Sequence, residues 1–215
     1  MFKKKPFFIV FEGVEGCGKS YQSKKLKRNL KKKGIDTILT REPGGTRGAE
    51  SIRSLILKDY FNKGKEEKFD KHTDTLLYLA ARNEHIINVI KPALKNKKII
   101  ICDRFIDSTF AYQVYGKKVK KSFIENIHKS ILQNIKPNLT FILKASSKSS
   151  KLRLKKRKTK NRYDNFSQSF YRKAQNSFLK IAKNKKNYFV VDSSLNNFDL
   201  EKKIFKIVCK YLKLR

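Results

Sequence analysis

Taken only as a pattern of apolar and polar positions, the chain alternates two kinds of segment. Short unbroken apolar runs are separated by longer stretches whose apolar residues recur every three or four places. Five runs predict strands: residues 7–11, 36–40, 99–103, 139–143 and 188–191, the third closing on Asp103 and the fifth running into Asp192. An apolar run without polar alternation suits a strand covered on both faces. Helical spacing occupies residues 19–33, 50–57, 73–94, 122–134, 166–183 and 200–212, with Gly34 as a stop after the first. The run 73–94 is the longest; it carries Leu76, Leu77, Leu79, Ala80, Ile86, Ile87, Val89 and Ile90, and Pro92 is placed to break it. In the last helix Ile204, Ile207, Val208 and Tyr211 are expected inward. Residues 62–71 are polar and read as a loop, and residues 146–162 are dense in Lys and Arg. Strands alternating with helices, without a repeat or a domain break, predict one α/β domain over residues 1–215 on a five-stranded parallel sheet.

The junction after the first strand carries the chemistry. Gly13, Gly18, Lys19 and Ser20 fit the pattern G-x-x-x-x-G-K-[ST], between a strand and a helix. Glycines let successive N–H groups turn inward as a nest for phosphate oxygens, and the following helix adds its positive end. The expected nucleotide-phosphate-binding set, which would take ATP if the chain is a kinase, is therefore Gly13, Val14, Glu15, Gly16, Cys17, Gly18, Lys19 and Ser20. Lys19 reaches the β- and γ-phosphates in such a loop, and the Ser20 hydroxyl is a ligand for Mg²⁺. Asp103, capping an apolar strand in a P-loop protein, is the expected carboxylate on the Mg²⁺ side. A second turn, Arg41 to Thr46 with Pro43, Gly44 and Gly45, follows the second strand, where ligands sit in open parallel sheets.

Charge changes this picture less than its size suggests. Lys and Arg number 53 against 18 Asp and Glu, a net charge of +35, which invites a nucleic-acid reading. The cations are spread through every segment, so drift toward Lys on a solvated surface explains them as well, and no specific nucleic-acid partner is expected. A basic nucleic-acid-binding ATPase is the alternative of a different class; it requires a coherent cationic face and steeply salt-dependent binding. Three cysteines without metal spacing suit a reducing compartment rather than a disulfide framework. The basic start imitates a signal peptide, but Pro6 and Glu12 leave too short an apolar run, and no stretch approaches transmembrane length. A cytoplasmic enzyme without membrane contact is expected.

Several segments together resemble the bacterial type of thymidylate kinase. They are Phe11 to Ser20, Thr40 to Thr46, Ala80-Ala81-Arg82, Asp103-Arg104-Phe105, Asp107-Ser108-Thr109, Ala111-Tyr112-Gln113 and Pro137 to Thr140, in the family's order across nearly the whole chain. The resemblance implies a P-loop NTPase fold with a helical lid over about residues 146–166, phosphoryl transfer from ATP to dTMP with Mg²⁺, and a homodimer. It also implies roles. Glu15 accepts from the sugar 3′-OH and Glu12 supports the metal side; Arg53 and Arg104 hold the dTMP phosphate, with Arg104 and Lys19 counted as catalytic. Tyr78 lies against the thymine face, Arg82, Thr109 and Gln113 read the base edge, and Tyr112 crowds the 2′ position.

The Lys151–Arg162 stretch corresponds to the lid that supplies a catalytic arginine in bacterial members. The P-loop here holds no arginine, so the role falls to Arg157, with Arg153 second and Arg162 third. Departures from the family pattern are Tyr21 in place of a small hydroxyl residue, Val114 and Lys117-Lys118 after Gln113, and Asn161 in place of a lid aspartate. A neighbouring P-loop kinase acting on another nucleotide or a nucleoside is the runner-up reading.

Overall fold

A computed structural model describes residues 5–57, 69–156, 167–194 and 197–214. The strands are β1 (Phe7–Glu12), β2 (Thr37–Arg41), β3 (Ile99–Asp103), β4 (Leu139–Lys144) and β5 (Tyr188–Asp192), within a residue or so of the predicted bounds. They form one sheet in the order β2-β3-β1-β4-β5, every pair parallel. Unbroken apolar strands require helices on both faces, and the burial alternates accordingly. Phe8 and Val10 join Ile100, Cys102, Phe105, Ile86 and Ile90 on one face. Ile9 and Phe11 join Ile101, Phe141, Leu26 and Phe178 on the other. Each fully buried Phe or Ile side chain contributes roughly 1.5–3 kcal/mol relative to exposure.

The helices are α1 (Lys19–Lys32), α2 (Arg47–Leu57), α3 (Lys71–His85), α4 (Lys91–Lys95), α5 (Ile106–Thr109), α6 (Lys121–Leu132), α7 (Ser147–Lys155), α8 (Gln168–Ala182) and α9 (Asn197–Leu212). Two π-helical turns join neighbours: Ile86–Ile90 links α3 to α4, and Phe110–Gly116 extends α5. The expectation that Pro92 breaks the long helix is corrected here. Lys91 N–H reaches back five residues to Ile86 O, and Pro92 falls in the first turn of α4, where a missing N–H is tolerated. Most of the predicted 62–71 loop lies outside the described residues, and Lys71 already belongs to α3, which Asp70 caps by accepting from His72 N–H at 2.7 Å.

The expectation that Tyr211 points inward also fails. Tyr211 is 37 % exposed because its phenol donates to Lys186 O at 3.1 Å while its ring edge rests on Phe189. Leu76, on α3, and Ile87, on the π turn after it, are 47 % and 48 % exposed, and Ala80 between them is exposed too. No helix among the described residues is long and apolar enough to cross a membrane. Cys17, Cys102 and Cys209 are free.

The topology sets the location of chemistry. β1 has β3 on one side and β4 on the other, so the crevice beyond its carboxyl end is a topological switch point. Backbone bonds lock the three segments leaving the sheet there: Arg104 N–H donates to Phe11 O and Glu42 N–H to Asp103 O, each at 2.9 Å.

Candidate active site

A cavity of about 460 Å³ lies over this edge. At one end is the loop between β1 and α1. Gly13 has φ +136°, and a Cβ there would come within 2.5 Å of Leu143 O, so neither the conformation nor the space admits a side chain. Gly16, at φ +72°, lets α7 close in: a Cβ would stand 2.6 Å from Ser150 O. Lys19 is buried, and its Nζ donates to Val14 O at 2.8 Å and reaches Cys17 Sγ at 3.6 Å. The Ser20 hydroxyl donates to the Asp103 carboxylate, which joins the two candidate metal ligands across 83 residues of sequence. One hydroxyl and one carboxylate suit Mg²⁺, which keeps waters and phosphate oxygens in its octahedron rather than using an all-protein cage. Consistent with that, no cluster of three or more His, Cys, Asp or Glu among the described residues could hold a metal ion.

Arg104 is the hub at the centre. Its backbone adopts φ 75°, a left-handed conformation uncommon for a residue other than glycine. Nη2 donates to Glu15 Oε1 at 2.6 Å, Nη1 donates to Gly13 O at 2.8 Å and to Ser108 Oγ at 2.9 Å, and the guanidinium lies 5.3 Å from the Tyr112 ring centroid. Burial works against its charge, but Glu15, Tyr112, Asp103 and Glu12 more than offset it and hold the pKa above the ordinary arginine value. Tyr112 OH donates to the other Glu15 oxygen at 2.5 Å. Nε and one Nη2 donor of Arg104 remain for a ligand among the described contacts.

Glu12, expected to support the metal side, does not line the cavity itself. It is fully buried behind the cavity wall, where Oε1 accepts from Phe105 N–H at 2.8 Å and Ser108 N–H at 3.2 Å, and Oε2 accepts from Ser108 Oγ at 2.6 Å. It therefore builds the turn that carries Arg104. Burial pushes its carboxyl up, Asp107 adds to this, and Arg104 with the Ser108 and Phe105 donors opposes it.

The far end is a buried polar network centred on Arg82, which is 3 % exposed and lies one helical turn after Tyr78 on α3. Nε donates to Glu42 Oε2 at 2.7 Å, Nη1 to Thr109 Oγ1 and His128 Nε2 at 2.8 Å each, and Nη2 to Phe105 O at 2.9 Å. Glu42 Oε1 meets His85 Nδ1 at 3.0 Å, and His85 Nε2 meets Thr40 Oγ1 at 2.7 Å. Burial would raise the Glu42 pKa, but Arg82 and His85 overcome it and the carboxyl lies below its ordinary range. Gln113, 2 % exposed on the π-helical turn, has a side-chain Nε2 without a partner. A π turn at a binding site re-aims side chains that a regular helix would direct elsewhere.

Most of the residues expected in a site converge on this one cavity. Glu15, Gly16, Gly18, Lys19, Ser20, Arg53, Tyr78, Arg82, Asp103, Arg104, Thr109, Tyr112, Gln113 and Arg153 line it. Arg53 donates from Nη1 to Pro43 O at 2.7 Å, beneath the turn that Arg41 and Glu50 clasp with a two-point ion pair. Arg153 is tied by Nη2 to Ser193 O at 2.7 Å and by Nη1 to Gly16 O at 3.4 Å. Arg157 and Arg162, and with them half of the expected lid, lie outside the described residues. The structure adds Glu42, Ser108, His85 and His128, which sequence reading left without a role. The available signal was a polar residue on an otherwise buried helical face, as with His128 four places after Ile124.

Comparison with known proteins bears on this geometry. A family model described as thymidylate kinase matches residues 11–204. A thymidylate kinase of Afipia carboxidovorans is 40% identical over 203 residues, covering 93% of this chain and 87% of that protein. One from Ehrlichia ruminantium is 40% identical over 209 residues, 96% of each chain. The crystal structure of thymidylate kinase from Ehrlichia chaffeensis matches with a TM-score of 0.74 at 31% identity, covering 95% of this chain and 99% of the other.

Proposed function

The chain belongs to the thymidylate kinase family, and from that premise we propose how the cavity performs the reaction. The enzyme transfers the γ-phosphoryl group of ATP to dTMP, yielding ADP and dTDP for dTTP synthesis. One observation supports the assignment of sites: one cavity is lined by Gly16, Gly18, Lys19 and Ser20 of the phosphate loop at one end and by Gln113, whose Nε2 has no partner among the described residues, at the other, which leaves both nucleotides room to meet. The attacking group is a phosphate oxygen with a second pKa near 6, ionised at neutral pH, so no general base is needed. The task is to hold two anions together and offset the charge of the transfer.

In this reading the loop N–H groups and Lys19 hold the ATP phosphates. Arg104 and Arg53 hold the phosphate of dTMP, a guanidinium engaging two oxygens at once. Glu15 keeps acceptor capacity for the 3′-OH while Arg104 and Tyr112 fix its orientation. Tyr78 offers a ring to the pyrimidine, Arg82, Thr109 and Gln113 face its edge, and Tyr112 excludes a 2′-OH. Ser20 and Asp103 would hold Mg²⁺, which supplies charge neutralisation between the β- and γ-phosphates. The family's lid is assigned to the stretch 146–166, with Arg157 as its catalytic arginine and the rest of the chain as a single domain. Two copies pair through the exposed Leu76, Ala80 and Ile87 row.

A coupled ADP-release assay over nucleoside monophosphates tests this reading. dTMP is the expected substrate, dUMP is used roughly 10–200-fold less efficiently because it lacks one methyl, and thymidine is not phosphorylated. Equal use of dGMP and dTMP would rule out the pocket as drawn.

A further inference from the structure

His128 stands on α6 behind the base end of the cavity and is 5 % exposed. Phosphoryl transfer gives it nothing to do. Its Nε2 lies 2.8 Å from Arg82 Nη1. A guanidinium does not give up its proton in a protein, so Arg82 donates, Nε2 accepts, and the ring proton is on Nδ1. Phe110 meets the imidazole edge-on, with centroids 5.7 Å apart, and holds the ring against rotation. Burial and the charge of Arg82 draw the imidazole pKa down to about 3, which keeps the acceptor form at neutral pH.

The contact completes a set. Glu42, Thr109, His128 and Phe105 O take four of the five Arg82 donors. The guanidinium is planar and rigid, so partners on Nε and on both Nη1 hydrogens fix the direction of everything else it carries. The fifth donor, on Nη2, has no partner among the described residues, and Arg82 lines the cavity together with Gln113. We propose that His128 is a positioning residue: it holds the Arg82 fork so that the unpaired Nη2 donor faces a carbonyl oxygen of the pyrimidine, favouring a keto over an amino base. Without it the Nη1 donor is buried unpaired, or the guanidinium turns about Cδ–Nε toward another acceptor and the fifth donor swings with it. The proposal rests on the reading of Arg82 as a group facing the base edge.

The test is steady-state kinetics with dTMP and dCMP on the full chain carrying His128→Leu, His128→Asn or His128→Gln, each also combined with Arg82→Ala. Leu removes the acceptor, Asn withdraws it from Nη1, and Gln places an oxygen near the position of Nε2. A lost buried hydrogen bond to a charged group predicts a KM for dTMP raised roughly 10- to 100-fold in Leu and Asn. Their kcat and KM for ATP should stay within about threefold of wild type, with a reduced preference for dTMP over dCMP, since only alignment at the base is lost. Gln should return KM to near the wild-type value, and in the Arg82→Ala background the Leu substitution should add no further rise. If His128→Leu does not fold, the contrast between Asn and Gln decides. Unchanged KM in Leu and Asn, a Gln variant as impaired as Asn, or an effect that persists without Arg82 would each overturn the role of His128. Arg82→Ala with unchanged KM for dTMP would instead remove the premise, by taking Arg82 away from the base.

Discussion

The two ends of the cavity hold their cations in opposite ways. At the phosphate end Lys19 is held locally, by the carbonyl of Val14 five residues away and the thiol of Cys17, on a stem with three rotatable donors. At the base end Arg82 is held by partners 23 to 46 residues away and has one direction left to offer. A compact ammonium on a flexible stem suits a charge that moves during a reaction, whereas a planar fork suits recognition of a fixed edge. The difference assigns rate to one end and selectivity to the other, because only groups whose contacts strengthen in the transition state raise kcat.

The largest effect that follows concerns the lid. Replacing Arg153, Arg157 and Arg162 together with Ala should lower kcat by roughly 10³–10⁵ and leave both KM values largely intact, since a guanidinium that arrives on closure acts on the transition state. Among the single variants Arg157→Ala should account for most of the loss. Arg153 is anchored to Ser193 O and Gly16 O, so it steadies the loop more than it moves with the lid. Lys155, Lys156 and Lys158 are neighbouring point charges that would blunt each single substitution. A triple variant with more than about a tenth of wild-type kcat would place the arginine elsewhere.

Next in size, Lys19→Ala should reduce kcat by roughly 10³-fold, as one charge at the reacting phosphates is removed. Its melting temperature should barely change, because the loop is shaped by Gly13 and its fit against Leu143, not by the lysine. Near-normal turnover in this variant would end the division of labour between the two ends.

The smallest effect is on stability, and it sharpens the base end. The pKa of His128 falls from 6.5 to about 3 on folding, so the neutral ring adds stability in full above pH 6.5 and loses it as the pH drops toward 3. For Glu42 the folded pKa is lowered from 4.5, so its contribution is complete above pH 4.5 and disappears only below that. Glu12, whose buried carboxyl is pushed up, titrates in the opposite sense over the same range, so the His128 term is read as a difference: in urea unfolding the wild type should lose about 1 kcal/mol relative to His128→Gln between pH 7 and pH 5.5. The Glu42→Gln background should keep that difference and flatten the curve below pH 4.5. The same slope in wild type and His128→Gln would mean that the imidazole is not held neutral.

How much of this could be read in advance follows the same division. All five strands, the phosphate loop, the turn at Arg41 to Thr46 and the acid at Asp103 are visible in consecutive residues. Burial on both faces writes an unbroken apolar run, and a phosphate nest needs glycines at set intervals. Periodicity failed at Tyr211, expected inward but exposed, with its hydroxyl turned to a backbone oxygen. At Leu76 and Ile87 it gave the helix without saying what covers that face.

The amino-acid order settled which segments become strands and where the glycine-rich loop between β1 and α1 lies, because both depend on neighbours a few residues apart. It left open that Glu12 would hold up the Arg104 turn and that Arg82 would be clasped by Glu42, Thr109 and His128. Those pairings belong to the parallel sheet, which brings the ends of β1, β2 and β3 to one edge and packs α3 and α6 beside it. A buried polar group must find a partner, but its identity is decided by which distant segment the fold delivers within 3 Å.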